Sequence, residues 1–143
     1  HRSLVDAHVC VDARISVSEG HRIAEMTRKR VLDSHPSVSD VLVHVDVEDD
    51  LEHDTKSQSL PDRSELLKQL APLLVDLPQP QRVVLHYLNG RVEAELHLPR
   101  QALEDLAAVT RVEHAIARRL AEHPLLRSLS INYGRQVFPA RTH

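Results

Sequence analysis

The chain has 143 residues, 41% of them hydrophobic, and sets 18 Lys and Arg against 21 Asp and Glu, for a net charge of −3 with histidine neutral. That length allows one ordinary domain or two small ones, and the acidic balance without a basic stripe argues against nucleic acid as a partner. Aromatics at 2% require an aliphatic core, the single cysteine (Cys10) excludes an internal disulfide and fits a reducing compartment, and eleven histidines dominate the polar chemistry.

The first element is "LVDAHVCV". Val5, Ala7, Val9 and Val11 share one face, while Leu4, Asp6, His8 and Cys10 share the other, the period of a strand with one buried side. Ser16-Val17-Ser18-Glu19 has the spacing of a capping box and opens a helix that should run to about Ser34. His35-Pro36 stops it, because proline disfavours a helical residue before it. "DVLVHVDVE" alternates again, with Val41, Val43, Val45 and Val47 inward and Leu42, His44, Asp46 and Glu48 outward. The first third is therefore expected to be β-α-β.

Residues 51–62 are polar and without sustained period, and read as a linker. Asp62 and Glu65 cap a second helix, about 63–75, with Leu66, Leu70, Leu73 and Leu74 as its apolar stripe. In "RVVLHYLNGRVEAELHL", Asn89-Gly90 between alternating runs is a two-residue hairpin turn. It pairs Tyr87 with Val92, Leu85 with Ala94 and Val83 with Leu96 toward the core, leaving His86, Glu93, Glu95 and His97 on the opposite face. A helix over about 100–122 should end at His123-Pro124, and "RSLSINYG" supplies a last strand with Leu129, Ile131 and Tyr133 inward. The second part reads α-β-β-α-β.

"GHRIAEMTRKRVLDSHPSVSDVLVHVD" and "EHAIARRLAEHPLLRSLSINYG" share the order His-x-Ile-Ala, basic residues, His-Pro, strand. The spacing aligns His8 with His97, His21 with His114, His44 with Asn132 and Asp46 with Gly134, which reads as a diverged duplication. The first copy then lacks its opening helix and first strand. Together with a start at His1 in place of Met, that suggests a piece of a longer protein. No apolar run approaches the roughly 20 residues of a membrane helix, and no signal-peptide pattern opens the chain.

In a β-α-β unit the crossover helix covers one sheet face, here the valine face, so His8, His44 and Asp46 must share the uncovered one, with Cys10 as a soft candidate beside them. Imidazole and carboxylate groups gathered there suit a divalent ion such as zinc. His21 lies in the first turns of the helix, where the dipole favours the neutral, metal-binding imidazole. Any one of these residues alone reads better as a solvated surface group; the combination of His8, His44 and Asp46 on one face is what points to metal. In the second copy His97 and His114 keep the pattern but Asn132 and Gly134 do not, so a site there should be weaker. His35 and His123 read as helix-end residues.

"VDAHVCVDARISVSEGHRIAE" and "HPSVSDVLVHVDVEDD" resemble the C-terminal cytoplasmic domain of the cation diffusion facilitator family of divalent-metal efflux transporters, over about residues 3–50. The resemblance implies a ferredoxin-like, metallochaperone-like α+β fold with open-faced sheets. With the repeat and the element order, the chain is expected to divide into a partial copy (1–50), a linker (51–62), a full copy in tandem (63–135) and a tail (136–143). By matched position His8, His21, His44 and Asp46 are the implied metal ligands, for zinc first, with iron, manganese, cobalt or cadmium open. A homodimer with metal near its interface is implied, continuous with a transmembrane transport domain and lying on the cytoplasmic face of the membrane. Three features depart from the family: its further ligand histidine would lie upstream, Gly20 replaces the usual alanine before His21, and the tandem second copy is unusual. The expected function is a non-enzymatic regulatory and dimerisation domain of a metal efflux transporter, the alternative a structural dimerisation module of the same fold. No Gly-rich phosphate loop, G-x-S-x-G or H-E-x-x-H supports an enzyme.

Overall fold

In a computed structural model, residues 3–47 and 59–139 are described. The chain divides into two compact units, His1–Asp54 and Thr55–His143. Both are mixed α+β with open sheets. The expected linker falls mostly outside the described residues, as do His1, His53 and His143 and the end of the tail.

The first unit is strand β1 (Ser3–Cys10), helix α1 (Val17–Ser34) and strand β2 (Val38–Asp46). The strands pair in parallel, as a helical crossover requires. Ser16 caps α1, its Oγ accepting from Glu19 N–H at 3.1 Å. At the other end the His35 backbone N–H donates to Val31 O, and its ring Nδ1 lies 3.2 Å from the same carbonyl. Gly20 and Val41 are the buried residues of the described part of this unit. A side-chain carbon at Gly20 would touch Val45 Cγ1 at 3.5 Å, so the helix start lies directly on the valine face. Arg28 on α1 clamps the helix to β2, with Nη2 and Nε at 2.7 and 3.2 Å from Asp40 Oδ1. This bond, with the Val41 N–H and the guanidinium charge, holds the Asp40 carboxyl below the usual range. Val47 was expected inward, but β2 ends at Asp46 and Val47 is exposed.

The second unit runs α2 (Arg63–Leu70), β3 (Arg82–Leu88), β4 (Arg91–Leu98), α3 (Leu106–Leu120) and β5 (Leu126–Tyr133). Its sheet order is β3-β4-β5, antiparallel at the hairpin and parallel across the α3 crossover. Asn89 and Gly90 have φ of 52° and 69°, the left-handed pair a type I′ turn needs. The hairpin register is the one read from the sequence, with Tyr87 opposite Val92, Leu85 opposite Ala94 and Val83 opposite Leu96.

Both helices of this unit are shorter than expected. α2 gives way at Ala71–Leu73 to a 3-10 turn containing Pro72, which has no N–H for the helical ladder. The element expected from about 100 begins as a 3-10 turn, Arg100–Leu103; α3 starts only after Asp105, whose carboxylate accepts from Ala108 N–H at 2.9 Å. An Asp that can satisfy orphan donors marks a new helix start. Leu66 and Leu70 of α2, Leu73, and Val92 and Ala94 of β4 form the core with Leu126 of β5. Leu96, Leu98 and Ile116 are buried as well. Each fully buried leucine is worth about 1.5–3 kcal/mol by transfer, so the second unit carries the larger hydrophobic stabilisation.

Candidate metal centre

The centre of the first unit's open face is made by register. His8 of β1 stands opposite His44 of β2, Asp6 opposite Leu42, and Cys10 opposite Asp46. Alternation turns Val5, Ala7 and Val9 toward cover and leaves Asp6, His8 and Cys10 exposed, and His44 is exposed likewise. The two imidazoles stack, with centroids 4.7 Å apart and planes 13° from parallel. Each also reaches diagonally across the strand pair to an acid. His8 Nδ1 is 2.7 Å from Asp46 Oδ2, and His44 Nε2 is 3.1 Å from Asp6 Oδ1.

Asp6, His8 and His44 each offer a ligand atom such that all three lie within 4.8 Å of one another. A tetrahedral zinc with bonds near 2.0–2.1 Å needs its ligand atoms about 3.3 Å apart. The His44 Nε2–Asp6 Oδ1 separation of 3.1 Å is close to that. Asp46 is more covered than His8, its side chain 18% exposed against 63%. An ionised carboxylate can only accept, so its bond to Nδ1 assigns the proton there and makes Nε2 the ring nitrogen with a lone pair.

Of the four residues marked in the sequence, His8, His44 and Asp46 are thus brought together. His21 is exposed on α1, whose packing is on the valine face, and it is not part of the cluster. The addition is Asp6. Its signal was present in the alternation, which puts it on the face of His8, but its neighbour across the sheet depends on strand register. Cys10 is exposed opposite Asp46 and also lies outside the cluster.

In the second unit His97 stands opposite Asn132 as His8 stands opposite His44. Glu95 takes the place of Asp6 two residues before the histidine. It engages His86 Nε2 at 2.8 Å and lies 3.7 Å from His97 Nε2. The aligned partner on β5 is an amide, and no second set of three ligand groups forms among the described residues. His114 is exposed on α3, lining an open groove with Arg111 and Arg118. It does not join His97. His123 closes the α3–β5 turn, its Nδ1 accepting from Leu125 and Leu126 N–H at 3.3 and 3.2 Å.

The family described as "Cation efflux protein, cytoplasmic domain" matches residues 1–48. A curated relative, Metal tolerance protein C1 of Arabidopsis thaliana, is 40% identical over 42 residues, covering 29% of this chain. The matched stretch is only 9% of that relative's own length. No solved structure matches the chain. No helix among the described residues is long and apolar enough to cross a membrane. The stretch that is similar to cation efflux protein cytoplasmic domains, residues 1–48, is the one that carries Asp6, His8, His44 and Asp46 on its strand pair.

Proposed function

We propose that this chain is a cytoplasmic regulatory and dimerisation part of a divalent-metal efflux transporter. Its first unit binds zinc through Asp6, His8 and His44, and Asp46 orients His8 from behind. The convergence of two imidazoles and a carboxylate on an exposed strand pair carries the reading. Such a donor set suits zinc better than the harder cations, and three protein ligands leave a position open to water or to a ligand from another protomer. His21, a ligand by resemblance, enters only a set completed by a partner. Leu4 and Leu42 are 79% and 60% exposed on the same face, giving a second copy apolar surface beside the metal ligands. The second unit, of matching strand register, is the diverged copy, with His97 and His114 at most a weaker site.

The alternative is a dimerisation module of the same fold without metal in its working state. The crossed His–Asp contacts favour it, since they satisfy these side chains by themselves. Zinc titration by calorimetry, with mass followed by light scattering on the same samples, separates the two. Saturable binding that creates or tightens a dimer and vanishes in His44→Ala supports the transporter reading. A dimer indifferent to zinc, with no saturable binding, establishes the alternative.

A further inference from the structure

We propose that the groove outside the carboxyl ends of β4 and β5 binds a phosphate-type anion through the guanidinium groups of Arg100 and Arg135. The groove measures about 490 Å³ and is lined by Arg100, Leu103, Tyr133, Gly134, Arg135 and Gln136. β4 and β5 are parallel neighbours paired as far as Leu98 and Tyr133. In open α/β sheets, the space outside the carboxyl ends of parallel strands is where ligands collect.

Gly134 shapes this end. Its N–H donates to Leu98 O at 2.9 Å, and its φ is 79°. A β-carbon on Gly134 would stand 3.3 Å from Arg100 Cβ and 3.6 Å from its Cγ. The backbone leaving β5 is therefore pressed against the stem of Arg100, and residue 134 contributes no side chain to fill the groove.

Neither the Arg100 nor the Arg135 side chain has an ion pair or hydrogen bond among the described residues. The carboxylate of Glu113 is occupied by the Tyr133 hydroxyl, which donates to it at 2.6 Å. Glu104 lines an adjoining groove with Arg100 but forms no ion pair with it. Arg100 and Arg135 thus line the groove as two guanidinium groups without an ion pair among the described residues. The corresponding step in the first unit has the opposite sign, since Asp46 stands there opposite Cys10. Guanidinium donors are arranged as a fork that matches two oxygens of a phosphate, and a groove of this size also takes the organic part of a phosphomonoester. The source is a soluble phosphorylated molecule or a lipid headgroup.

The test is a titration of the metal-free 143-residue chain with inorganic phosphate at low ionic strength, where exposed charges are least screened, followed by amide and Arg Nε NMR shifts. Saturable shifts centred on Arg100, Gly134 and Arg135, weakened about tenfold or more in Arg100→Gln/Arg135→Gln and retained in Arg111→Gln/Arg118→Gln, support the site. Equal shifts at the α3 arginines, or no change in the first double variant, overturn it. The single variants Arg100→Gln and Arg135→Gln give the same readout should the double variant misfold. Co-sedimentation with phosphatidylcholine vesicles containing phosphatidic acid then assigns the source: dependence on both arginines identifies a lipid headgroup, and phosphate binding without sedimentation identifies a soluble ligand.

Discussion

His8 and His44 face each other across the parallel β1–β2 pair with their rings stacked at 4.7 Å, and each is tied to an acid on the other's strand. Two strands thereby present two imidazoles and two carboxylates in a compact diagonal pattern, without help from any loop. The pattern is more rigid than a set of surface histidines, because every ring has a contact fixing its orientation.

His44→Ala combined with Asp46→Ala should lower zinc affinity much more than His97→Ala combined with His114→Ala. We expect a loss of at least about tenfold, ~1.4 kcal/mol, for the first pair and a change within about twofold for the second. Calorimetry on both double variants decides it. Equal losses would move the main site out of the first unit.

Asp46 and Asp6 should fail differently. Without Asp46 the His8 Nδ1 proton loses its acceptor, so Asp46→Ala should shift the ring toward the other tautomer before any metal is added, visible in its ¹⁵N shifts. Zinc affinity should drop by roughly 10–100-fold, as for other carboxylates behind a metal-bound histidine. Asp6→Ala should leave the His8 tautomer unchanged and still weaken zinc binding. If both variants leave the tautomer alone, Asp46 is not a positioning group.

His21→Ala should leave zinc affinity of the monomeric chain within about twofold, since His21 is outside the cluster on the strand face. A loss that emerges only under conditions where the chain dimerises would show that His21 serves a set completed by a second protomer.

Tyr133 provides a titration that reports on the second unit alone. Partial burial, with the bond to Glu113, pushes its hydroxyl up to about 12. A raised acid binds its proton more tightly when folded. The stabilisation is therefore full below the ordinary tyrosine value near 10 and disappears as pH rises toward 12. Following the Tyr133 ¹³Cζ resonance should show a midpoint near 12. Glu113→Gln should bring that midpoint down, and an unchanged titration in the variant would leave burial as the whole cause.

The hydroxyl of Tyr87 is buried with no hydrogen-bond partner among the described residues. Tyr87→Phe removes the unpaired polar atom and keeps the ring in the core with Leu85 and Val92. Chemical denaturation should show stability unchanged or raised, by up to about 1 kcal/mol. A loss above about 1 kcal/mol would mean the hydroxyl has a partner after all.

Much of this architecture was legible because it is local. The alternation of Val5, Ala7 and Val9, the caps at Ser16 and Asp62, and the Asn89-Gly90 turn depend on neighbours in sequence, and a two-residue turn also fixes the hairpin register. The helix ends were less legible. Pro72 and Asp105 act within a turn or two, but the apolar periodicity running through them masks the break. Val47 was counted inward because alternation continues past the point where β2 loses its partner.

The sequence by itself determined which residues share the exposed face of each strand, since side chains alternate with period two whatever the partner does. It could not determine who meets whom across that face. Sliding one parallel strand by two residues keeps every side chain on its face and changes all the diagonal contacts, and a long helical crossover leaves that slide open where a two-residue turn does not. Tertiary structure alone set His8 against His44. It drew Asp6 into the cluster, placed Asp46 behind His8, and left His21 on the helix that covers the opposite side of the sheet. The reason is the packing of α1 on β2, where Gly20 sits on Val45 and Arg28 holds Asp40, fixing the helix on the valine face and leaving the other open.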